Sequence, residues 1–432
     1  MRAYEEASDR GQTSVATDAR ASLALLLSEV LGASESLEAP GVQAADRARA
    51  FFLRGRLQEA TADASSDEGA ASLTHAEEAL KKAAKLNPAH DGAWNCLGQL
   101  FWKRGNLDGA KNCYQAVLKR GQNKKTLQAM SMLCRNLAKS KAAAGSDEQR
   151  DYVAQSMEHA KAAVKMDLTD GYSWYQVGMA YMSQFFAEGA SDQTKLGAAL
   201  KAYASAEKGG PAGDGSSGGG GIGDYPDLHF NRAIVLRYCE DYGPALDGFR
   251  TAARLDPGLP WKTEVDAIVS VLARLDDGCR AMGPMFKPKR IAPIVKALEG
   301  TGHLGNETPK GYTAASLGPE GALKAGTNQG VAVNVRAVLD ATSEDRMNLH
   351  YIVVDREGTL AALSVYGLED GAVRLSATLS LLNPVVREVD AMWEGRRFNF
   401  RLIRVDLPKQ ILVAGQMPVG RIARPRLAST NL

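Results

Sequence analysis

Two hydrophobic patterns divide the chain. Up to about residue 280 the apolar positions recur three and four residues apart, the period of amphipathic helices; from about Val331 they fall in short runs of β type. The clearest helical unit begins at Asp91, with Trp94, Leu97, Gly98 and Phe101 followed by Ala110, Tyr114 and Val117. A second carries Trp174, Val177, Gly178 and Tyr181, then Ala199, Tyr203 and Ala206; a third carries His229, Arg232, Ala233 and Leu236, then Ala245, Phe249, Ala252 and Pro257. Ala76, Leu80, Ala83 and Pro88 repeat the second half of the unit upstream, and Pro88 ends its helix because it has no N–H to donate. Degenerate units fill the gaps: Leu127, Met130, Ser131 and Cys134 with Ser156, Ala160 and Ala163, and another pair beginning near Phe51, Phe52 and Gly55.

The spacing is near 34 residues, and the order of large, small and aromatic residues is that of the tetratricopeptide repeat (TPR). A glycine or alanine at the helix crossing lets two backbones approach, and aromatic rings fill the gaps beside it. The expected class is therefore mainly α with a β domain: a TPR helical superhelix over 46–280, about five to six helix pairs, followed by a C-terminal barrel. Residues 1–45 read as a partly helical N-terminal extension. The period breaks at 62–70, 140–149 and 209–223, between helices, where insertion costs little; the last break is the flexible tract GGPAGDGSSGGGGIG. A helix over Trp261–Asp276 is expected to cap the array, since a terminal repeat must hide its apolar face.

The β-type runs are VAVNVRAVL, LHYIVVD, TLAALSVY, VRLSATLSLL, FNFRLIRV and ILVAG, separated by turn signals such as Glu369-Asp370-Gly371, Asn383-Pro384 and Glu394-Gly395. They predict a small closed barrel or sandwich over 326–420, an oligonucleotide/oligosaccharide-binding (OB) type barrel fitting the strand count. Residues 281–325 hold a basic cluster and a Gly-, Thr- and Pro-rich linker (Lys296–Ala325), and 421–432 a basic tail.

Composition adds mostly exclusions. A net charge of +2 argues against a general nucleic-acid binder, and 45% hydrophobic with 24% charged residues is the balance of a soluble globular protein. No apolar run reaches the length of a membrane span, and Glu5, Glu6, Asp9 and Asp18 do not fit a secretory signal. Cys96, Cys113, Cys134, Cys239 and Cys279 lie far apart without CxxC spacing and read as thiols of a reducing compartment, cytosol or nucleus. The histidines (His75, His90, His159, His229, His303, His350) show no metal-ligand spacing. Ser217 sits in a literal G-x-S-x-G inside the glycine tract, where no strand and helix flank it as a nucleophile elbow needs; the same glycines lack the Gly-Lys-Ser/Thr of a P-loop. Asn306-Glu307-Thr308 is a glycosylation sequon with meaning only in a secreted protein. No catalytic constellation, cofactor motif or metal site is expected.

Binding chemistry is expected instead. In TPR arrays the first helix of each pair lines the concave face. Applied to the phase above, that rule puts Asn95, Gln99 and Trp102, Gln128, Met132 and Arg135, Tyr172, Tyr175, Met179 and Met182, and Asp227, Phe230, Ile234 and Arg237 along the groove, with Asn231 a further groove candidate. Aromatic and thioether walls with opposite charges at separate points suit a short extended peptide. Alternatively Arg135 and Asp227 bridge neighbouring helices and only stiffen the coil. Lys287, Lys289 and Arg290 read as a solvated patch, a nuclear address or a contact for RNA phosphates. An OB barrel with basic flanks would suit single strands, but Tyr351, Tyr366, Phe398 and Phe400 alternate as core residues would.

Several segments resemble the tetratricopeptide repeat protein 5 (Strap) family over roughly residues 70 to 420: SMLCRNL (Ser131–Leu137), MDLTDGYSWYQVG (Met166–Gly178), AYASAEK (Ala202–Lys208), PDLHFNRA (Pro226–Ala233), YGPALDGFRTAARLDP (Tyr242–Pro257) and EGRRFNFRLIRVDLP (Glu394–Pro408). The resemblance implies an adaptor that recognises the N-terminal peptide of nascent tubulin at the ribosome and triggers tubulin mRNA decay through a decay factor. It also implies, as the alternative, a nuclear scaffold for an acetyltransferase co-activator in the stress response. In the first role Arg135 matches the position that meets the peptide's acidic side chain, Asp227 the position that meets its arginine, and Lys287 and Lys289 the cluster resting on ribosomal RNA, which Arg290 extends.

Overall fold

The computed structural model describes residues 42–62, 67–210, 222–282, 286–299, 308–318, 323–344 and 347–423. Most of the N-terminal extension, Ser217, the Asn306-Glu307 half of the sequon and residues 424–432 of the tail lie outside them. The described residues contain twelve α-helices. They are α1 (Ala44–Thr61), α2 (Asp67–Leu86), α3 (Asp91–Lys103), α4 (Leu107–Leu118), α5 (Lys124–Ser140), α6 (Asp147–Met166), α7 (Gly171–Ala187), α8 (Gln193–Lys208), α9 (Pro226–Tyr238), α10 (Tyr242–Leu255), α11 (Trp261–Cys279) and α12 (Pro288–Glu299). Strands follow: β1 (Thr313–Ala315), β2 (Gly326–Thr327), β3 (Val331–Asp340), β4 (Leu349–Val354), β5 (Leu360–Val365), β6 (Thr378–Leu382), β7 (Val385–Trp393), β8 (Arg396–Val405) and β9 (Ile411–Val413). Contacts group the chain into two compact units. The first comprises the described residues of Met1–Ala187, Gly197–Leu228 and Ala252–Leu259; the second comprises those of Glu188–Leu196, His229–Thr251 and Pro260–Leu432.

In the first unit, small residues set the helix pairs. A Cβ on Gly98 of α3 would lie 2.6 Å from Tyr114 Cε1 of α4, and Gly178 of α7 meets the Tyr203 ring of α8 in the same way. Gly55 of α1 stands against Leu80 of α2, where a Cβ would lie 2.7 Å from Cγ. Two of the repeats are also started alike. The Trp94 indole donates to the Pro88 carbonyl at 3.0 Å, and the Trp174 indole donates to the Leu168 carbonyl, six residues upstream again, at 2.9 Å. Side-chain caps mark the helix starts: Asn106, Asn123 and Ser146 accept from the backbone N–H groups of Gly109, Thr126 and Gln149. Burial pushes the Cys113 and Cys134 thiols up to about 11, so both stay protonated as small core residues.

The glycine tract is anchored at both ends on one turn, Thr169–Gly171. The Gly210 N–H donates to the Thr169 carbonyl at 3.0 Å, Gly209 approaches so closely that a Cβ on it would lie 2.5 Å from Gly171 Cα, and Ile222 covers Gly171 from the far end.

The second unit holds a curled mixed sheet in the order β2-β7-β8-β5-β4-β3-β6-β9, with β1 added beside β3. Pairs β1–β3 and β5–β8 are parallel and the remaining pairs antiparallel. Its core includes Val333, Val335, Tyr351, Val353, Leu363, Leu381, Ile403 and Val405. Among the described residues the path ends at β2 and β9, so the sheet curls without the full closure that the strand count predicted. Strand β7 was not among the predicted runs, because Arg387, Glu388 and Asp390 interrupt its apolar positions. Glu388 and Asp390 are exposed and Val386, Val389 and Ala391 buried, while Arg387, on the face of Val389 and Ala391, is half-buried. The linker is shorter than expected: α12 runs through Lys296 to Glu299, and Thr313–Ala315 pairs with β3.

One polar anchor and one apolar contact join helix to sheet in this unit. Arg404, 2% exposed, pairs with Asp406 at 2.6 Å and Glu240 at 3.4 Å, donates to the Tyr238 carbonyl at 2.7 Å and stacks on the Tyr366 ring at 4.2 Å. Helix α11, expected to end the array as a cap, instead packs its apolar stripe (Val265, Ile268, Val271, Leu272, Leu275) inward and lays Gly278 against Ile352 of β4.

Gly178→Ala is expected to destabilise the chain by about 1–3 kcal/mol, since the added methyl group overpacks a crossing that has no room. Urea denaturation of the parent and the variant checks it, Gly197→Ala serving as control because nothing lies within 4 Å of a Cβ there.

Candidate functional site

The first unit carries a tyrosine-lined wall flanked by two charges. Tyr172, Tyr175 and Tyr225 stack in near-perpendicular and tilted pairs at 5.5 to 6.1 Å, and Tyr203 lies 6.0 Å from Tyr175. The helical period places Tyr172 and Tyr175 three residues apart on one face of α7, and Tyr225 precedes α9, whose first turn holds Asp227.

Arg135 on α5 is half-buried and held by neutral groups. Its Nη1 donates to Ser131 Oγ at 3.0 Å and Ser156 Oγ at 3.2 Å, and its Nη2 donates to Gln176 Oε1 at 2.6 Å. Among the described residues no carboxylate pairs with it. Loss of solvent pulls its pKa below the usual arginine value, with the Tyr175, Tyr172 and Tyr203 hydroxyls acting in the opposite direction. Asp227, also half-buried, accepts a hydrogen bond from Tyr225 and has no cationic partner among the described residues. Desolvation raises its pKa and the Asp256 charge adds to this, the Tyr225 bond opposing both. Tyr175 lies within electrostatic reach of both charges, and burial holds its hydroxyl far above the ordinary tyrosine range. The wall therefore presents a desolvated cation and a desolvated anion, each without a counter-ion. Such groups cost stability in the empty protein and are poised for a partner that brings the opposite charges.

Other predicted groove residues are placed differently. Asn95 accepts from Thr126 Oγ1 at 2.8 Å, Gln99 is exposed, and Trp102 packs half-buried against the cluster around Tyr114 and Met130. Gln128 is buried, donating to Asp170 Oδ2 at 2.6 Å and Ser173 Oγ at 2.8 Å, so it joins successive repeats instead of facing a ligand. Asn231 and Arg237 belong to the second unit and are buried there, Arg237 in an ion pair with Glu264 of α11. Arg237 is thus the bridging arginine that Arg135 is not. Sequence reasoning passed over Gln176, since nothing in the repeat phase distinguishes a polar residue turned to a neighbouring helix from one turned to a ligand.

Lys287, Lys289 and Arg290 are exposed at the start of α12. Cations at a helix N-terminus oppose the dipole at a cost of about 0.3–1 kcal/mol each, so the position concentrates positive potential outward. On the sheet, Arg397 pairs with Asp390 through two bonds of 2.8 and 2.6 Å, Arg401 with Glu388 at 3.1 Å and Arg396 with Asp277 at 2.7 Å. Tyr351, Tyr366, Phe398 and Phe400 are buried, so these rings supply no stacking platform for bases. Among the described residues no cluster of His, Cys, Asp or Glu is arranged to hold a metal, and no helix is long and apolar enough to cross a membrane.

Comparison with known proteins fits this arrangement. Residues 319–423 match the model of the tetratricopeptide repeat protein 5 OB fold domain. The mouse tetratricopeptide repeat protein 5 is 33% identical over 378 residues, covering 85% of this chain and 80% of its own length; the human protein is 32% identical over 379 residues, covering 86% and 81%. The chain belongs to the tetratricopeptide repeat protein 5 family. Among solved structures, a thermophilic TPR protein of Thermus thermophilus is similar at 15% identity and a TM-score of 0.37, covering 51% of this chain and 98% of its own. A TPR helical array followed by an OB domain is thus the fold, and the tetratricopeptide repeat protein 5 relatives make the chain a TPR-based adaptor or scaffold.

Asp227→Asn is expected to raise the melting temperature at pH 7. Because the folded-state pKa of Asp227 is raised, its charge costs stability above that pKa, and the cost disappears as pH falls below the ordinary value of 3.8. Melting curves of the two proteins across pH should therefore separate at neutral pH and converge in acid.

Proposed function

We propose that the chain is a non-enzymatic adaptor that reads the N-terminal peptide of nascent tubulin at the ribosome and triggers tubulin mRNA decay. The observation that carries this reading is the pair of uncompensated charges, Arg135 and Asp227, beside the Tyr172–Tyr175–Tyr225 wall. An extended peptide turns adjacent side chains to opposite sides, so an arginine followed by a glutamate needs an anion and a cation at separate points. Arg135 would take the acidic side chain and Asp227 the arginine, as the family resemblance implies. Lys287, Lys289 and Arg290 would rest on ribosomal RNA phosphates, where exposed cations gain by displacing counter-ions. The site of action under this reading is the cytoplasm, with an mRNA-decay factor as the further partner. The nuclear co-activator scaffold is the alternative, and a negative result below favours it.

The test is a titration with a fluorescent peptide beginning Met-Arg-Glu followed by an apolar residue. Its control has Arg and Glu exchanged. Truncating one member of a desolvated charge pair costs about 2–4 kcal/mol, so Arg135→Ala and Asp227→Ala should each weaken binding roughly thirtyfold or more while circular dichroism stays unchanged. Binding indifferent to the exchange, or to both substitutions, sinks the reading.

A further inference from the structure

The Arg135 guanidinium is held from three helices. Its acceptors are Ser131 on its own α5, Ser156 on α6 and Gln176 on α7, and all three have 0% exposure. The two serine hydroxyls lie 3.0 Å apart and are engaged with each other. Gln176 Oε1 serves Arg135 alone among the described residues, accepting from Nη2 at 2.6 Å, the shortest of the three bonds. A guanidinium only donates, so the carboxamide has one workable orientation, oxygen toward Arg135. That orientation leaves Nε2 buried without a hydrogen-bond partner among the described residues. Buried donors are seldom left so, and the glutamine stands here at a cost to stability.

Position 176 is also where this fold could have neutralised Arg135. A glutamate differs from glutamine only in carrying oxygen in place of NH2, and it would set a carboxylate against the same Nη2. Arg237 and Arg404, both buried, are given carboxylates in just this way, by Glu264 and by Glu240 and Asp406. The amide oxygen at 176 carries only a partial charge. It is strong enough to orient the guanidinium and too weak to stand in for a counter-ion.

We propose that Gln176 is a positioning residue that sets the charge preference of the site: it orients Arg135 through a neutral oxygen and so leaves the guanidinium to be matched by an acidic side chain of the peptide. The inference rests on the peptide-reading function above and deepens it. Gln176 itself stays sealed between helices and touches no ligand; the peptide meets the half-exposed Arg135. A carboxylate at position 176 would therefore compete with the ligand's own, and the array would keep its shape while losing its preference for an acidic residue.

The test compares Met-Arg-Glu and Met-Arg-Gln peptides, each followed by an apolar residue, on the full chain, on Gln176→Glu and on Gln176→Met. The parent should favour the glutamate peptide by tenfold or more. Gln176→Glu should cut that preference at least fivefold and melt no lower than the parent, because its carboxylate has a guanidinium to pair with. Gln176→Met keeps the volume and removes the acceptor, and it should weaken glutamate-peptide binding at least threefold. A residue that only filled space would change affinity for both peptides alike and leave the preference where it was. Melting curves give a second readout that needs no ligand. In an Arg135→Met chain, Gln176→Glu should lower the melting temperature, since a buried carboxylate without a partner is costly; a substitution acting independently of Arg135 would shift both chains equally. The proposal is overturned by a parent that binds the two peptides equally, by a full preference retained in Gln176→Glu, by a Gln176→Glu chain that melts lower than the parent or fails to fold, or by unweakened binding in Gln176→Met. The last three of these leave the peptide-reading function intact. Failure of the parent to bind either peptide overturns both.

Discussion

The close crossing of paired helices is the constraint on which the rest of the array depends. At Gly98 against Tyr114 and Gly178 against Tyr203 there is no room for a single added carbon. The contact fixes both the separation and the rotation of the two helices, because a ring seated over a bare Cα has one place to sit. Once α7 is fixed in that way, Tyr172, Tyr175 and Gln176 have no freedom about the helix axis. The aromatic wall is therefore set by packing against the same Tyr203 ring, which lies 6.0 Å from Tyr175, before any ligand is considered.

On that scaffold the charges are held at a disadvantage. Arg237 and Arg404 show what this fold does with an arginine needed for structure: each is buried and given a carboxylate. Arg135 receives two hydroxyls and an amide oxygen instead, enough to orient the guanidinium but not to neutralise it. Asp227 is treated in the same manner, with a phenol for company. Preorganised polar groups of this kind lower the ordering cost of binding, and tyrosine rings with few rotatable bonds add rigid contact area beside them.

Much of the array was legible in the chain because repeats report themselves several times over. Trp94 and Trp174, Gly98 and Gly178, Tyr114 and Tyr203 recur in phase, and each recurrence supports the others. Strand β7 was hidden for the opposite reason, since a strand interrupted by Arg387, Glu388 and Asp390 carries a weak apolar signal. Within the site, repeat phase combined with the family resemblance singled out Arg135 and Asp227. Phase alone could not separate them from Gln128 or Arg237, which stand at comparable positions and are consumed by neighbouring helices. That distinction depends on contacts between elements remote in sequence, and period has no access to it. Gln176 was invisible for the same reason.

The anchoring of the glycine tract uncouples chain length from architecture. Gly209 and Gly210 on one side and Ile222 on the other are fastened to the same turn at Thr169–Gly171, so the stretch between them closes on a fixed gap. Lengthening such a loop is inexpensive, about 0.6 kcal/mol for each doubling. The position is a natural entry point for foreign sequence, whether acquired in the divergence of the lineage or placed there as a fluorescent label, with the tyrosine-bearing face of α7 left undisturbed.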